Sequence, residues 1–181
     1  MKRTRYIVLF LSAVLLGTLC LSGCSLLKSN LMDRITSEDS ALVTDQSNEI
    51  IRCLTEKDRE GFCELFSEQA RQSDTFEQEV DALFDFFRCD VYIKAGFDDL
   101  AGGGGSMESG ERTEWYLHPE ITYIKVLQDA GDGSENAVDR YYGANYLWQV
   151  TDEEHPGRVG LNYFEIYLLN TDEIVTIGVF E

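Results

Sequence analysis

The sequence predicts an α+β domain, because helical and strand patterns occupy separate parts of the chain. Apolar residues recur at helical offsets of three and four up to about Phe87, and at alternate positions from Cys89 onward. Helices followed by a run of strands favour three N-terminal helices packed on a curved, mostly antiparallel sheet. For a chain of 181 residues, one such domain is the default expectation.

Three helical stretches are predicted before residue 88. Asp58 is placed to cap the second, and Asp74 with Glu77 has the spacing of a capping box before the third. Core packing explains their apolar residues better than a ligand site does. These residues are Leu42, Val43, Ile50, Ile51 and Leu54 in the first, Phe62, Leu65, Phe66 and Ala70 in the second, and Phe76, Val80, Leu83, Phe84 and Phe87 in the third.

Strands are predicted from residue 89 to the end of the chain. We expect Pro119 to bulge or interrupt the second of them. The segment DDLAGGGGSMESGE has four consecutive glycines but no lysine, and its flanks are acidic, so it predicts a flexible turn rather than a phosphate loop. The predicted runs are Val91–Phe97, Arg112–Leu127, Tyr141–Val150, Val159–Leu169 and Ile174–Phe180.

The N-terminus has the organisation of a secretory signal. Three basic residues precede about sixteen apolar ones, which is short of the roughly 20 residues that a membrane-spanning helix needs. The exit Leu21-Ser22-Gly23-Cys24 resembles the lipobox of bacterial lipoproteins, which implies cleavage between Gly23 and Cys24 and lipidation of Cys24. An ordinary signal with a chance cysteine is the alternative. Cys20 lies inside the apolar run and leaves with it.

This reading divides the chain into a signal peptide (1–23), a lipidated N-terminus with a flexible tether (24–46) and an α+β domain (47–181). It predicts a protein outside the cytoplasm, in the bacterial cell envelope, held to the membrane through Cys24.

The acidic composition restricts the partners. The chain carries 33 Asp and Glu against 15 Lys and Arg; loss of the signal with its three basic residues leaves a formal charge of −21. Such a chain is repelled by nucleic acid and by anionic lipid headgroups. Solubility explains this acidity better than an acidic docking surface does.

The segments LTEKDREGFCELFSEQA, FEQEVDALFDFF and RVGLNYFEIYLL resemble an uncharacterised family of bacterial lipoproteins, domain of unknown function 5104. The resemblance covers about Ser47 to Glu181. It implies a nuclear-transport-factor-2-like, or cystatin-like, roll, in which a curved sheet wraps a long helix and leaves a cone-shaped cavity. It implies no functional residue beyond Cys24.

Metal, cofactor and nucleophile chemistry is not favoured by the sequence. Cys53, Cys63 and Cys89 with His118 and His155 form no close-spaced ligand motif, so neither zinc nor another cofactor is predicted. The three thiols are best explained as small buried side chains, with one disulfide as the alternative. Both histidines precede proline and are expected at turns, away from any catalytic cysteine.

Acid–base catalysis has three weak candidates, Glu114, His118 and Glu165. Glu165 is the strongest of these candidates, because Tyr163 and Tyr167 are expected to lie on the same face of its strand, together with Leu161 and Leu169. We expect this face to point outward, which leaves Glu165 an ordinary exposed carboxylate.

A ligand pocket is the other candidate site. Aromatic residues at strand positions serve core packing as well as a pocket wall, so both readings stay open. The candidate lining residues are Trp115, Tyr123, Tyr146, Trp148 and Tyr163.

Three functions are compatible with these observations. The favoured one is a non-catalytic, lipid-anchored module that binds a small molecule, a peptide or an envelope protein. The alternatives are a hydrolase or isomerase acting in a cone-shaped cavity, and a structural envelope protein with no discrete ligand.

Overall fold

A computed structural model describes residues 37–98, 102–129 and 137–179. The predicted signal peptide, with Cys20 and Gly23, and the predicted lipidation site Cys24 lie outside the described residues. A compact unit runs from Asp39 to Glu181, and the preceding unit, Met1–Glu38, lies almost wholly outside the described part. None of the helices in the described part is long and apolar enough to cross a membrane.

The architecture is α+β, as predicted. The first helix, α1, is described over residues 37–56, so ten residues assigned above to the tether are helical. Three shorter helices follow: α2 (Arg59–Glu64), α3 (Glu68–Arg71) and α4 (Phe76–Phe86). The strands are β1 (Val91–Gly96), β2 (Gly102–Glu108), β3 (Glu111–His118), β4 (Glu120–Asp129), β5 (Ala137–Asp152), β6 (Gly160–Leu168) and β7 (Ile174–Gly178).

The seven described strands form one antiparallel sheet centred on β5. The hydrogen-bonded order is β1-β4-β5-β3-β2, in which β4 and β3 pair with one edge of β5. On the other edge of β5, β6 pairs with β5 and β7 pairs with β6. Because β3 and β4 both pair antiparallel with β5, they act as one long strand interrupted at Pro119. This interruption confirms the expectation for that proline.

The helix boundaries follow local capping only in part. The Asp58 carboxylate accepts a hydrogen bond from the Gly61 backbone at 2.9 Å, which confirms the predicted cap of α2. The predicted second helix is divided into α2 and α3, because Phe66 forms a parallel bridge with Leu161 of β6. The prediction of a capping box at Asp74 is wrong, because the N-cap residue of α4 is Thr75 and its side chain makes no capping hydrogen bond.

The phenylalanines of the helices form the core, as predicted. The Phe62 ring meets Phe66, Phe84 and Phe164 edge to face, with centroids 5.3–5.7 Å apart. Such pairs add to the hydrophobic gain from burying the rings. On the sheet, Tyr142, Ala144, Tyr146, Phe164 and Ile166 share this buried helix side.

The glycine-rich segment differs from its prediction. Residues 102–108 form the edge strand β2 rather than a flexible turn. Backbone pairing with β3 needs no side chains, and glycine permits the close approach seen here. A Cβ on Gly105, whose φ is +148°, would lie 1.9 Å from the carbonyl oxygen of Glu114.

Candidate functional site

The helix side of the sheet holds a buried hydroxyl pair. Ser47 of α1 and Tyr146 of β5 are both 0% exposed, and their hydroxyl oxygens lie 2.8 Å apart. Burial raises the pKa of Tyr146 well above its ordinary value, although the hydrogen bond with Ser47 opposes this shift. The pair therefore fixes α1 on the centre of the sheet.

A second polar contact joins the start of α1 to β3. The Asp39 carboxylate accepts hydrogen bonds from Arg112 Nη1 at 2.8 Å and from the Trp115 indole at 3.2 Å. The Arg112 guanidinium also lies over the Trp115 ring, 4.5 Å from its centroid. Both charged side chains are mostly buried, so the ion pair is weakly screened by solvent.

On the opposite face of the sheet, away from the helices, Glu165 is held by two donors. Its Oε2 accepts from the Tyr163 hydroxyl at 2.7 Å and its Oε1 from the Asn145 amide at 3.2 Å. Burial, followed by the hydrogen bond to Glu165, raises the pKa of Tyr163 to about 12. Tyr163 is thus a neutral donor at physiological pH, and the carboxylate has a fixed orientation.

Two tyrosine rings on this face lie over glycines of neighbouring strands. A Cβ on Gly96 would lie 2.6 Å from the Tyr123 ring, and a Cβ on Gly143 would lie 2.5 Å from the Tyr167 ring. Gly96 pairs with Tyr123 and Gly143 with Tyr167, so each ring covers the backbone of its cross-strand partner.

These four residues form a row across the sheet. Ile121 pairs with Ala144 and Ile124 with Tyr142, which places Tyr123 in a bulge opposite Gly143. With strands about 4.8 Å apart, the rings over β1 and β5 are separated by about 10 Å. We call Tyr123, Tyr141, Asn145, Tyr163, Glu165 and Tyr167 the outer tyrosine face.

Two lysines border the outer tyrosine face. The Lys94 ammonium lies 5.5 Å from the Tyr123 ring centroid and Lys125 lies 5.5 Å from that of Tyr141, distances compatible with cation–π attraction. Lys125 is also paired with Asp139 at 2.8 Å. The Tyr141 side chain is exposed to solvent.

The five aromatic residues predicted to line one pocket are not brought together. Trp115, Tyr146 and Trp148 lie on the helix side, where Trp148 packs against the core. Tyr123 and Tyr163 lie on the outer tyrosine face. These two groups are separated by the thickness of the sheet, so no single cavity can be lined by all five.

The remaining predicted catalytic groups are dispersed. Glu114 is exposed on β3, and His118 is half-buried at the end of that strand. His155 lies exposed in the turn after β5, with Nδ1 3.5 Å from the buried Asp152 carboxylate. Within the described residues, no three His, Cys, Asp or Glu side chains are grouped as a metal site.

The cysteines of the domain are free thiols. Cys53 and Cys89 are buried, and Cys63 is half-buried. Burial raises the pKa of Cys53 to about 11 and also raises the pKa values of Cys63 and Cys89. A thiol with a raised pKa is a poor nucleophile at neutral pH.

The alternation expected along β6 is broken by a bulge. Leu147 pairs with Tyr163 and Trp148 with Leu161, so Asn162 is the extra residue. Leu161 therefore lies in the core rather than beside Tyr163 and Glu165. The expectation that Leu161 shares their face is wrong.

Several residues of these sites were not identified from the sequence. No sequence motif contains Gln46, Ser47 or Asn145. The sequence has fifteen glycines, and nothing in it distinguishes Gly96 and Gly143 from the others. The one available signal was the helical spacing of Asp39, Val43, Gln46 and Ile50, which puts two polar residues on an apolar stripe.

The fold defines a class: an α+β protein whose antiparallel sheet is covered by helices on one face and carries tyrosines on the other. Residues 49–173 match the family described as Domain of unknown function (DUF5104). Because the match spans more than half of the chain, this protein belongs to that family. No curated protein matches the sequence.

Proposed function

We propose that this chain is a lipid-anchored extracytoplasmic lipoprotein that binds a neutral saccharide chain on its outer tyrosine face and does not transform it. The observation that carries the proposal is the row Gly96, Tyr123, Gly143 and Tyr167. Each ring has one face on a glycine backbone, which leaves the other face directed away from the sheet.

The chemistry of the face suits sugars. Sugar rings have apolar C–H faces that stack on aromatic rings, and their edges carry hydroxyls that need hydrogen-bond partners. Two rings about 10 Å apart are separated by about the length of a disaccharide, so a chain could place alternate units on Tyr123 and Tyr167. The Glu165 and Asn145 side chains lie beside Tyr167 and supply polar partners.

The charge of the protein restricts the saccharide to a neutral one. At a formal charge of −18 before processing, the chain repels anionic polymers. The exposed ammonium of Lys94 lies on a flexible stem and can leave the Tyr123 ring when a sugar stacks there.

The hydrogen bonds that Glu165 already accepts favour binding over catalysis. Both of its oxygens already accept hydrogen bonds from protein donors. Such a carboxylate is well placed to accept further bonds from ligand hydroxyls but is not poised as a proton donor. An isomerase-like role would require this carboxylate to be free to take a proton from a substrate in an enclosed site.

The proposal includes the type of fold, a nuclear-transport-factor-2-like roll. A long helix packed on a sheet with bulges in β1, β4 and β6 suits the nuclear-transport-factor-2-like roll. Bulges bend and twist strands, and this is how such a sheet becomes curved.

The binding test uses the full chain in detergent with soluble cellohexaose and chitohexaose as probes, measured by calorimetry. Tyr167→Ala should weaken binding at least tenfold. Tyr92→Ala is the matched control, because Tyr92 is 44% exposed but lies opposite Val126, whose side chain is in the core. Equal affinity of the two variants, or no binding by the wild type, would refute the saccharide site.

Anchoring is tested separately by metabolic labelling with a fatty-acid analogue. Cys24→Ser should abolish labelling and leave the signal uncleaved, whereas Cys20→Ser should change neither. Labelling of Cys24→Ser at the wild-type level would refute lipidation at Cys24.

A further inference from the structure

The layer between α1 and the sheet contains buried polar atoms without partners. Gln46 is 5% exposed, and neither its amide nitrogen nor its amide oxygen has a hydrogen-bond partner in the described part of the chain. Nη2 of Arg112 is also buried and unpaired there. Buried polar groups are nearly always satisfied in folded proteins, so an unpaired glutamine amide indicates a missing partner.

The position of Gln46 on α1 relates it to the two polar contacts described above. Asp39 and Gln46 are seven residues apart and therefore lie on one face of the helix, about 10 Å along its axis. Asp39 is fixed to Arg112 of β3, and Ser47, next to Gln46, is fixed to Tyr146 of β5. The unpaired groups thus lie in the same layer, on the side of the sheet opposite to the outer tyrosine face.

We propose that a small uncharged molecule binds between α1 and the sheet at the amide of Gln46. The amide of Gln46 can donate and accept, so the ligand must carry a donor and at least one acceptor. Hydroxyl compounds and primary or secondary amides have this chemistry.

The ligand is uncharged because Arg112 is already neutralised. Its ion pair with Asp39 is mostly buried, so another charge in this layer would lack a counter-ion and would be costly to desolvate. This site does not depend on the proposed saccharide site, because it lies on the other face of the sheet.

Native mass spectrometry and NMR of the full chain in detergent test the proposal. The wild type should retain a small-molecule adduct, or the Gln46 side-chain amide resonances should shift when N-methylacetamide is added. Gln46→Leu, which replaces the amide by an apolar side chain, should abolish the adduct, and residues around position 46 should no longer respond to the probe. Gln149→Leu is the matched control, since Gln149 is also buried but donates to the Thr151 carbonyl at 2.8 Å.

Four outcomes would overturn the proposal. One is an adduct that Gln46→Leu retains, and another is a response to N-methylacetamide that persists in this variant. The third is a wild type with neither adduct nor shift, since ordered water would then be the only partner of Gln46. If the adduct is lost equally in Gln149→Leu, the loss reflects general loosening of the layer and also counts against the site.

Discussion

Removing the hydroxyl of Tyr146 tests whether the buried pair with Ser47 fixes α1 on the sheet. Tyr146→Phe deletes a hydrogen bond of 2.8 Å and leaves the fully buried Ser47 hydroxyl without that partner. Loss of a buried partner costs about 1–3 kcal/mol, and we expect a decrease in unfolding free energy in that range. The contact from Tyr146 to the Val43 carbonyl, at 3.5 Å, is too long to add much.

The same pair permits a double-mutant cycle. Ser47→Ala should also destabilise, because it leaves the Tyr146 hydroxyl with only the long contact to Val43. The double variant should lose less than the sum of the single ones, by about 1 kcal/mol, since no unpaired hydroxyl then remains.

Denaturant melts of the full chain in detergent measure these values, with Tyr92→Phe as the exposed control, expected within about 0.5 kcal/mol of wild type. A loss for Tyr146→Phe no larger than that of Tyr92→Phe, or strictly additive losses, would refute the reasoning.

The remaining predictions concern stability, pH and charge. Leu83→Ala, at a fully buried position, should cost about 2–5 kcal/mol in the same melts; a loss below about 0.5 kcal/mol would place Leu83 outside the core. Gly160→Ala should cost about 1–3 kcal/mol, because φ is +123° and a Cβ would lie 3.0 Å from the Ser67 nitrogen. The pKa of Tyr163 is about 12 in the folded protein, whereas that of a tyrosine in the unfolded chain is about 10. Its contribution to the free energy of unfolding should therefore be complete below about pH 10 and be lost from about pH 10 to 12. Tyr163→Phe should flatten that loss, and an unchanged slope would contradict the assignment. Finally, the chain should not shift DNA or RNA in a gel at low salt, and a reproducible shift there would reveal a basic patch.

Local patterns were enough to predict the order and type of most elements. The change from helical to alternating spacing near Cys89 gave the α+β class, and Asp58 and Pro119 gave two boundaries that the structure confirms. These features depend on neighbours in sequence: a cap bonds three residues ahead, and a proline cannot donate to a strand ladder. The glycine-rich segment 102–108 was mispredicted because its strand is stabilised by the backbone of β3, which lies outside the pattern of its own side chains.

The sequence by itself determined the class of fold, the residues that form the phenylalanine core and the acidic composition, because each follows from residue content or from regular spacing along one element. Only the tertiary structure decided which residues share a site. The bulge at Asn162 moves Leu161 into the core, and the bulge of β4 aligns Tyr123 with Gly143. A single extra residue in a strand changes the face of every side chain beyond it, and register between distant strands is set by the packed sheet as a whole. The pairing of Gly143 with Tyr167 and the burial of Gln46 therefore emerge only when the strands and α1 are assembled.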